Sequence, residues 1–406
     1  MKILCLTGLF PKEYEQTILD NSLAGVQNAA NKFQWGIVKG FDAIPEVEIK
    51  ILNSLYIGSF PWRYKQIKIP TFEFSHKEGA SDLNVGFANL SGYKVLSRYR
   101  GMKKEIDKWI EATKGHTQVI IAYAMTSPMV ELLHYVKKKY KEIKCCLVVP
   151  DLPEYMSMTA KKKSLYSFLK KIQIKHFKKQ LKIVDGFVLL TKNMTEWFDW
   201  KINYTVIEGI CSLNKSDYSE VLSAEKNKAI VYAGGIEEKY GLLELVKAFM
   251  KTNEPDWSLE LFGNGSGVNK IGELARSDSR IHLRGMVPNA DVIEEQKHAE
   301  ILINPRNDNN EFTKYSFPSK VIEYMSSGTP MIGYKLSGMP DEYTNFFYEI
   351  DKTEDGMFKC LDKVMALSSK ERAQKGKEAF DFVTTEKNAK NQCEKILKML
   401  DGEPSI

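Results

Sequence analysis

Lys320 and Glu323 are the side chains of this sequence best placed to act on a ligand. They stand three residues apart in Ser316-Phe317-Pro318-Ser319-Lys320-Val321-Ile322-Glu323-Tyr324-Met325-Ser326-Ser327-Gly328-Thr329-Pro330. Pro318 suits the first turn of a helix and Gly328 its C-terminal stop, so a helix reaching Ser326 is predicted. Residues three apart on it share a face. A carboxylate there can accept both hydroxyls of a ribose, and a lysine beside it, with the helix N-terminus, can bind a diphosphate. The plainer reading is a surface Lys–Glu pair; the fixed Pro before and the Gly-x-Pro after weigh against it.

Two glycine-rich turns have comparable placement. Gly234-Gly235 ends the predicted strand Ala229–Ala233, and Gly263-Asn264-Gly265-Ser266-Gly267 follows the predicted strand Leu259–Phe262. Open α/β sheets bind ligands beyond the carboxyl ends of their strands, and glycine there lets backbone N–H groups approach a phosphate or a sugar ring. Taken singly, either turn reads first as plain tight turning. A nicotinamide site needs Gly-x-Gly-x-x-Gly at the first βα turn. The first turn here reads Thr7-Gly8-Leu9-Phe10-Pro11 and lacks it.

These residues need a parallel sheet to hold them. From Ala229 to Tyr334, short apolar runs alternate with helical spacing, as in Leu242, Leu245, Val246 and Phe249. That alternation predicts an α/β, doubly wound domain. The first half repeats the plan, with strands at Ile3–Leu6, Val47–Leu52, Val119–Ala122, Cys145–Val149 and Gly186–Leu190. Residues 53–92 read as irregular loops. A chain of 406 residues exceeds the roughly 250–300 that one core supports. The expected division is residues 1–211, a linker at 212–227, a second domain at 228–385, and a C-terminal helix at 386–406 packing back on the first domain. The helical stretch from about Ser369 to Leu400 is long enough that a bend is expected in it.

Composition excludes several classes. At 43% hydrophobic and 27% charged the chain is an ordinary globular protein, and no run approaches the ~18–20 apolar residues of a membrane span. Met1–Leu6 reads as a first strand rather than a secretory leader. The six cysteines have neither Cys-x-x-Cys nor zinc spacing and read as buried thiols in a reducing cytosol. No nucleic-acid partner is indicated. The net charge of +6 is uneven: residues 136–182 carry 14 Lys against Glu142, Asp151 and Glu154, a local +11, and the remainder carries −5. Leu165, Phe168, Leu169, Ile172, Phe177, Leu181 and Val184 approximate an apolar helix face among those lysines. Such a basic amphipathic helix can lie on an anionic membrane; alternatively its apolar face packs inward and only the lysines meet water.

With these motifs in view, residues 228–342 resemble the nucleotide-sugar-binding domain of glycosyltransferase family 4, the retaining GT-B group. The resemblance is strongest to bacterial capsular and exopolysaccharide members, which carry Phe-Pro-Ser-Lys-x-x-Glu-Tyr followed by Gly-x-Pro, as Phe317–Pro330 does here. Val184–Thr191 and Val206–Ile210 are similar to the last strands of the family's first domain. The resemblance implies two Rossmann-like domains facing a central cleft, a nucleoside diphosphate sugar as co-substrate with no further cofactor, and a saccharide acceptor, free or on a polyprenyl diphosphate. Together with the basic segment 136–182, such a carrier-linked acceptor leads to the expectation that the protein works at the inner face of the cell membrane without spanning it.

The resemblance assigns roles residue by residue. Glu323 matches the second Glu of the family's Glu-x7-Glu motif, which holds the donor ribose. Tyr315 stands where the first Glu, beside the donor hexose, is expected; Glu311 in the same loop is the carboxylate available in its place. The family's phosphate-binding Arg falls at Gly235, where it is absent, and its Lys near Tyr240, beside Lys239. Lys320 is the first candidate for the missing charge and Lys239 the second. Gly263 and Gly265 lie with the donor loops, Met286-Val287 matches the loop that reads the base, and Ser316, Phe317, Pro318 and Ser319 lead into the helix that carries Lys320. In the first domain Gly8 and Gly25 match loops facing the donor phosphates, Gly25 also lying toward the acceptor. Asp151 falls where relatives place a His or Asp near the acceptor; a carboxylate there can take a hydroxyl proton, or it caps the turn before Pro153. No Asp-x-Asp motif stands out, so metal-independent transfer is expected. Two other readings stay open: a GT-B-fold epimerase acting on a UDP-sugar, and an inactive donor-binding partner subunit.

Overall fold

The computed structural model describes residues 1–156, 164–217, 225–308 and 311–402, without the side chains of Ser164, Leu165, Tyr166 and Lys215. The chain forms two compact units, residues 1–210 with the helix that begins at Ala389, and Cys211–Asn388.

In the first unit the strands run β1 (Lys2–Thr7), β2 (Glu48–Asn53), β3 (Lys68–Ile69), β4 (Phe72–Phe74), β5 (Asp82–Asn84), β6 (Phe87–Ala88), β7 (Gln118–Tyr123), β8 (Lys144–Val149), β9 (Gly186–Leu189) and β10 (Tyr204–Val206). The main sheet has the order β10-β9-β8-β7-β1-β2-β5-β4 and is parallel except where β4 runs against β5. Its central strands are apolar and buried almost throughout, as a sheet covered on both faces requires. Helices α1 (Glu15–Asn21), α2 (Asn28–Asp42), α3 (Tyr93–Ala112), α4 (Ser127–Lys139) and α5 (Ser164–Leu181) follow in chain order, with α3, α4 and α5 packed side by side.

The segment 53–92 has more order than its sequence shows. Its strands are two or three residues long, too short to display an alternating pattern, yet Leu55, Tyr64, Ile69 and Phe87 build a small core with Phe10 and Ile18. Arg98 of α3 pins this segment. Its buried guanidinium lies between the rings of Tyr56 and Phe87, 5.0 and 4.8 Å from their centroids, and donates to the Leu55 carbonyl at 2.7 Å and to the Ser54 carbonyl.

The second unit has β11 (Asn227–Ala233), α6 (Leu242–Met250), β12 (Ser258–Phe262), α7 (Val268–Ala275), β13 (Ile281–Gly285), α8 (Asn289–His298), β14 (Ala299–Asn304), α9 (Ser319–Ser326), β15 (Met331–Gly333), β16 (Tyr348–Glu349), α10 (Gly356–Ala366) and α11 (Ser369–Glu386). Its sheet, order β13-β12-β11-β14-β15-β16, is parallel throughout. One face packs Leu245, Phe249, Ile271 and Leu361; the other packs Val321, Met325, Phe382 and Val383. This is the doubly wound α/β domain expected from the alternation.

Two boundaries differ from the sequence reading. Residues 211–217 belong to the second unit, with a 3-10 turn at Lys215–Asp217 against α11, rather than to a free linker, and 218–224 lie outside the described residues. The long C-terminal helix is two helices, α11 and α12 (Ala389–Asp401). The break follows from local bonding: the Asn388 amide donates to the carbonyls of Thr385 at 2.7 Å and Thr384 at 3.3 Å, and buried Lys387 reaches Glu342 at 2.5 Å. Beyond the break α12 joins the first unit, where Cys393, Ile396 and Met399 cover Ile37, Phe41 and Cys5.

The seam between α2 and α12 sets a test of this packing. A Cβ at Gly40 would lie 2.2 Å from the Ala389 carbonyl oxygen and 2.4 Å from Cys393 Sγ. Gly40→Ala should therefore cost about 1–3 kcal/mol by overpacking, read as a lower urea midpoint. At Gly25, where an added Cβ meets nothing within 4 Å, the same substitution should leave the midpoint in place.

Candidate functional site

In the second unit the expected residues converge at the carboxyl end of the central strand β11. Its last carbonyl, Ala233 O, accepts from the Lys320 amine, and the Tyr324 hydroxyl, one helical turn further along α9, stands 3.4 Å from it while accepting from Ala233 N at 3.1 Å. Lys320 is thus not a surface residue paired outward with Glu323. Its amine lies 4.4 Å from the centroid of the Tyr232 ring, and burial pushes it down to about 8, with Glu323 pulling the other way. The neighbouring residue has to be glycine: a Cβ at Gly234 would lie 1.4 Å from the Lys320 nitrogen, and its φ is +153°.

The two glycine turns hold each other. Gly234 N donates to Phe262 O, Ile236 N to Asn264 O, Gly267 N to Ile236 O and Gly263 N to Gly285 O, all within 2.7–2.9 Å. Gly265 N is taken by the Asn264 side chain at 2.8 Å. A Cβ at Gly263 would lie 1.8 Å from Gly234 O, and one at Gly265 would lie 2.4 Å from Ile236 O. Gly263 and Gly265 therefore serve close backbone packing, with their N–H groups already bonded. Gly235 is exposed, and its carbonyl accepts from the Tyr232 hydroxyl at 2.8 Å.

Glu323 is half-buried on the same helix and accepts from Gln296 of α8 at 3.2 Å. Phe317 and Pro318 are buried, Phe317 against Tyr343 with ring centroids 5.0 Å apart, so they anchor the helix start. Ser319 is exposed; Ser316 and Tyr315 are half-buried, with Tyr315 ending a 3-10 turn that begins at exposed Glu311. Lys239 is exposed, 5.4 Å from the Tyr240 ring centroid. Met286 is 77% exposed after β13, while Val287 packs on the core.

Three residues around this point were not anticipated. Tyr232 supplies the ring under Lys320, and Gln296 orients Glu323. Arg306, just past β14, donates to Ser316 Oγ at 3.1 Å and stacks on Phe312 at 4.5 Å. The signal in the sequence was Asn304-Pro305-Arg306, an arginine at the end of a predicted central strand.

In the first unit Gly8 N donates to Gln34 at 2.8 Å, and a Cβ there would lie 2.1 Å from the Tyr56 ring. Gly25 stands in an open loop. Asp151 follows β8 and meets solvent, yet the atoms crowding it push its carboxyl up to about 6. It acts on buried Tyr123, whose hydroxyl is pushed up by burial first and Asp151 second. Next to Tyr123, Ala124 has φ +110°, a strained value for a non-glycine residue.

Helix α5 divides along its length. Phe168, Leu169 and Ile172 are 60, 55 and 51% exposed, whereas Phe177 and Leu181 are buried. Val184 is half-buried, and the Leu165 side chain and Lys161–Lys163 lie outside the described residues. Lys171, Lys175, Lys179 and Lys182 are exposed, while Lys178 turns toward Asp199 at 3.6 Å. Among the described residues no helix is long and apolar enough to cross a membrane.

Two Rossmann-like parallel sheets in one chain define the GT-B fold, and solved structures of that fold superpose on this one along its length. Sucrose-phosphate synthase from Thermosynechococcus elongatus matches with a TM-score of 0.62 over 99% of this chain and 100% of that one, at 14% identity. A trehalose-6-phosphate structure from E. coli bound with UDP-2-fluoro glucose matches at 0.59 over the whole of both chains, at 9% identity. The apo lipopolysaccharide outer core galactosyltransferase WaaB matches at 0.58 over 99% of each, at 12% identity. Identities this low speak for the fold alone. No curated protein matches the chain in sequence. Residues 227–366, most of the second unit, match the family described as Glycosyl transferases group 1. The protein is a glycosyltransferase.

The depressed lysine gives this site a pH signature. A diphosphate placed beside Lys320 would favour the charged amine, whereas the free amine loses its proton as pH rises through about 8. Nucleoside diphosphate binding should be tightest below that pH, weaken above it and take up protons on association. Calorimetry at pH 7 and pH 9 reads this directly, and Lys320→Met should remove the pH dependence.

Proposed function

We propose that the enzyme moves a hexose-type sugar from a nucleoside diphosphate sugar to a hydroxyl of a saccharide acceptor, with retention at the anomeric carbon. A UDP-sugar is preferred to a GDP-sugar. The observation that carries this reading is the placement of Lys320 and Glu323 on α9 at the end of β11, one amine desolvated against Tyr232 and one carboxylate held by Gln296. Glu323 accepts the ribose hydroxyls. Lys320 neutralises the diphosphate as the bond from the anomeric carbon to the phosphate oxygen breaks, a charge fixed in place before the reaction begins. The second unit takes the donor and the first the acceptor, where Asp151, ionised above about pH 6, receives the acceptor proton. UDP-2-fluoro glucose in the E. coli relative supports a UDP-sugar as donor, and the galactosyltransferase WaaB supports a place in cell-surface polysaccharide assembly.

The acceptor in this proposal is carried on a polyprenyl diphosphate, and the enzyme works from the inner surface of the membrane. The exposed start of α5 favours it: Phe168, Leu169 and Ile172 beside Lys171 and Lys175. Each lysine near an anionic leaflet contributes on the order of 1 kcal/mol, enough in sum for salt-reversible attachment.

A panel of radiolabelled UDP- and GDP-sugars, with and without lipid-linked acceptor, tests the reaction. Acceptor-dependent nucleotide release is expected with one donor; sugar interconversion without acceptor would make the enzyme an epimerase. Glu323→Ala should weaken donor binding by ~1.5–3 kcal/mol, the loss of bonds to a charged group; a wild-type rate in that variant would remove Glu323 from the site.

Co-sedimentation with liposomes tests the surface. Anionic vesicles should retain the protein at low salt and release it at high salt, and Phe168→Ser with Ile172→Ser should weaken retention. Retention by neither neutral nor anionic vesicles at low salt would point to a soluble acceptor.

A further inference from the structure

Arg306 is a half-buried guanidinium with no carboxylate bonded to it among the described residues. Among the described residues its one hydrogen bond is to the Ser316 hydroxyl at 3.1 Å. Asp308, two residues on, is committed elsewhere: its carboxylate accepts from Ser337 N at 3.0 Å, from Ser337 Oγ at 2.8 Å and from Lys352 at 3.2 Å. A guanidinium drawn away from water needs an anion or a full set of acceptors; among the described residues this one makes a single hydrogen bond, and Asp308 acts on it only through space. Its position is nonetheless fixed. Phe312 stacks 4.5 Å from it, and the preceding Pro305 carbonyl is locked against Gly241, where a Cβ would lie 2.3 Å from the oxygen.

Arg306 is held with its guanidinium 6.0 Å from the centroid of the Tyr240 ring. Lys320 covers the ring of Tyr232, and Arg306 acts electrostatically on Tyr232 and Tyr240 from the other strand end. A cation at the start of α9 and another on the loop after β14, the strand beside β11, thus both act on Tyr232 near the end of β11. Neither needs the other's partner, and a ligand carrying two linked negative groups would satisfy both.

We propose that Arg306 is the second cation of the donor site and, with Lys320, binds the diphosphate of the nucleotide. It supplies the arginine expected at Gly235 from a different loop. The planar fork can take two phosphate oxygens at once, while Lys320 acts as a point charge on the departing oxygen. The proposal rests on the nucleotide-sugar reading and specifies which side chains carry it.

Calorimetry on the full chain with UDP and GDP decides between Arg306 and Lys239. Arg306→Gln should weaken binding of the preferred diphosphate by roughly tenfold or more and flatten its salt dependence, with the thermal midpoint unchanged. Arg306→Lys should fall between, because charge remains and the fork is lost. Wild-type affinity in Arg306→Gln, or a loss confined to Lys239→Gln, overturns the assignment while leaving the donor reading intact. If the wild-type chain binds neither UDP nor GDP, the donor reading itself falls and the assignment with it.

Discussion

The carbonyl oxygen of Ala233 is the point on which the second unit's site depends. A lysine withdrawn from water must bond its amine to something, and the last carbonyl of β11 is what the sheet offers to Lys320 of α9. The consequences run outward from that bond. Because the amine lies across the turn, residue 234 can carry no side chain; because residue 234 lies against the next turn, residue 263 can carry none either. Tyr324 reaches the same backbone unit from one helical turn away, so the register of α9 on the sheet is set by two polar contacts as well as by the apolar packing of Val321 and Met325.

This arrangement is an instance of electrostatic preorganisation. A cation on a mobile, hydrated side chain such as Lys239 must shed water and be ordered each time a phosphate arrives. Lys320 and Arg306 have been desolvated and oriented by folding, Lys320 against Tyr232 and Arg306 against Phe312. The cost falls on the stability of the domain rather than on the reaction, which is where a preorganised site places it.

How much of this was legible in the sequence follows from the range of the signals involved. The second sheet was readable because each strand is a short apolar run and each helix between them shows its spacing. Segment 53–92 was not, since strands such as Lys68–Ile69 and Phe72–Phe74 have no room for a pattern, and the start of the segment is held by Arg98, whose bond to Ser54 spans 44 residues. Lys320 and Glu323 announced themselves through a local motif; Arg306, Tyr232 and Gln296 did not, because their relation to that motif exists only after β11, β14 and α8 are side by side. The glycine turns were located correctly, but their bonding to each other is a tertiary fact. The split between α11 and α12 likewise turns on Lys387 finding Glu342, 45 residues upstream.

That split has a bearing on biosynthesis. The first unit is discontinuous: its sheet is encoded by residues 1–210, but the helix that covers Ile37 and Phe41 is encoded after residue 388. On a ribosome making roughly 5–20 residues per second, the second unit is translated in its entirety while that apolar face waits uncovered. The order of completion is therefore the reverse of the order of synthesis, and the first half can bury that face only after the last helix has been made.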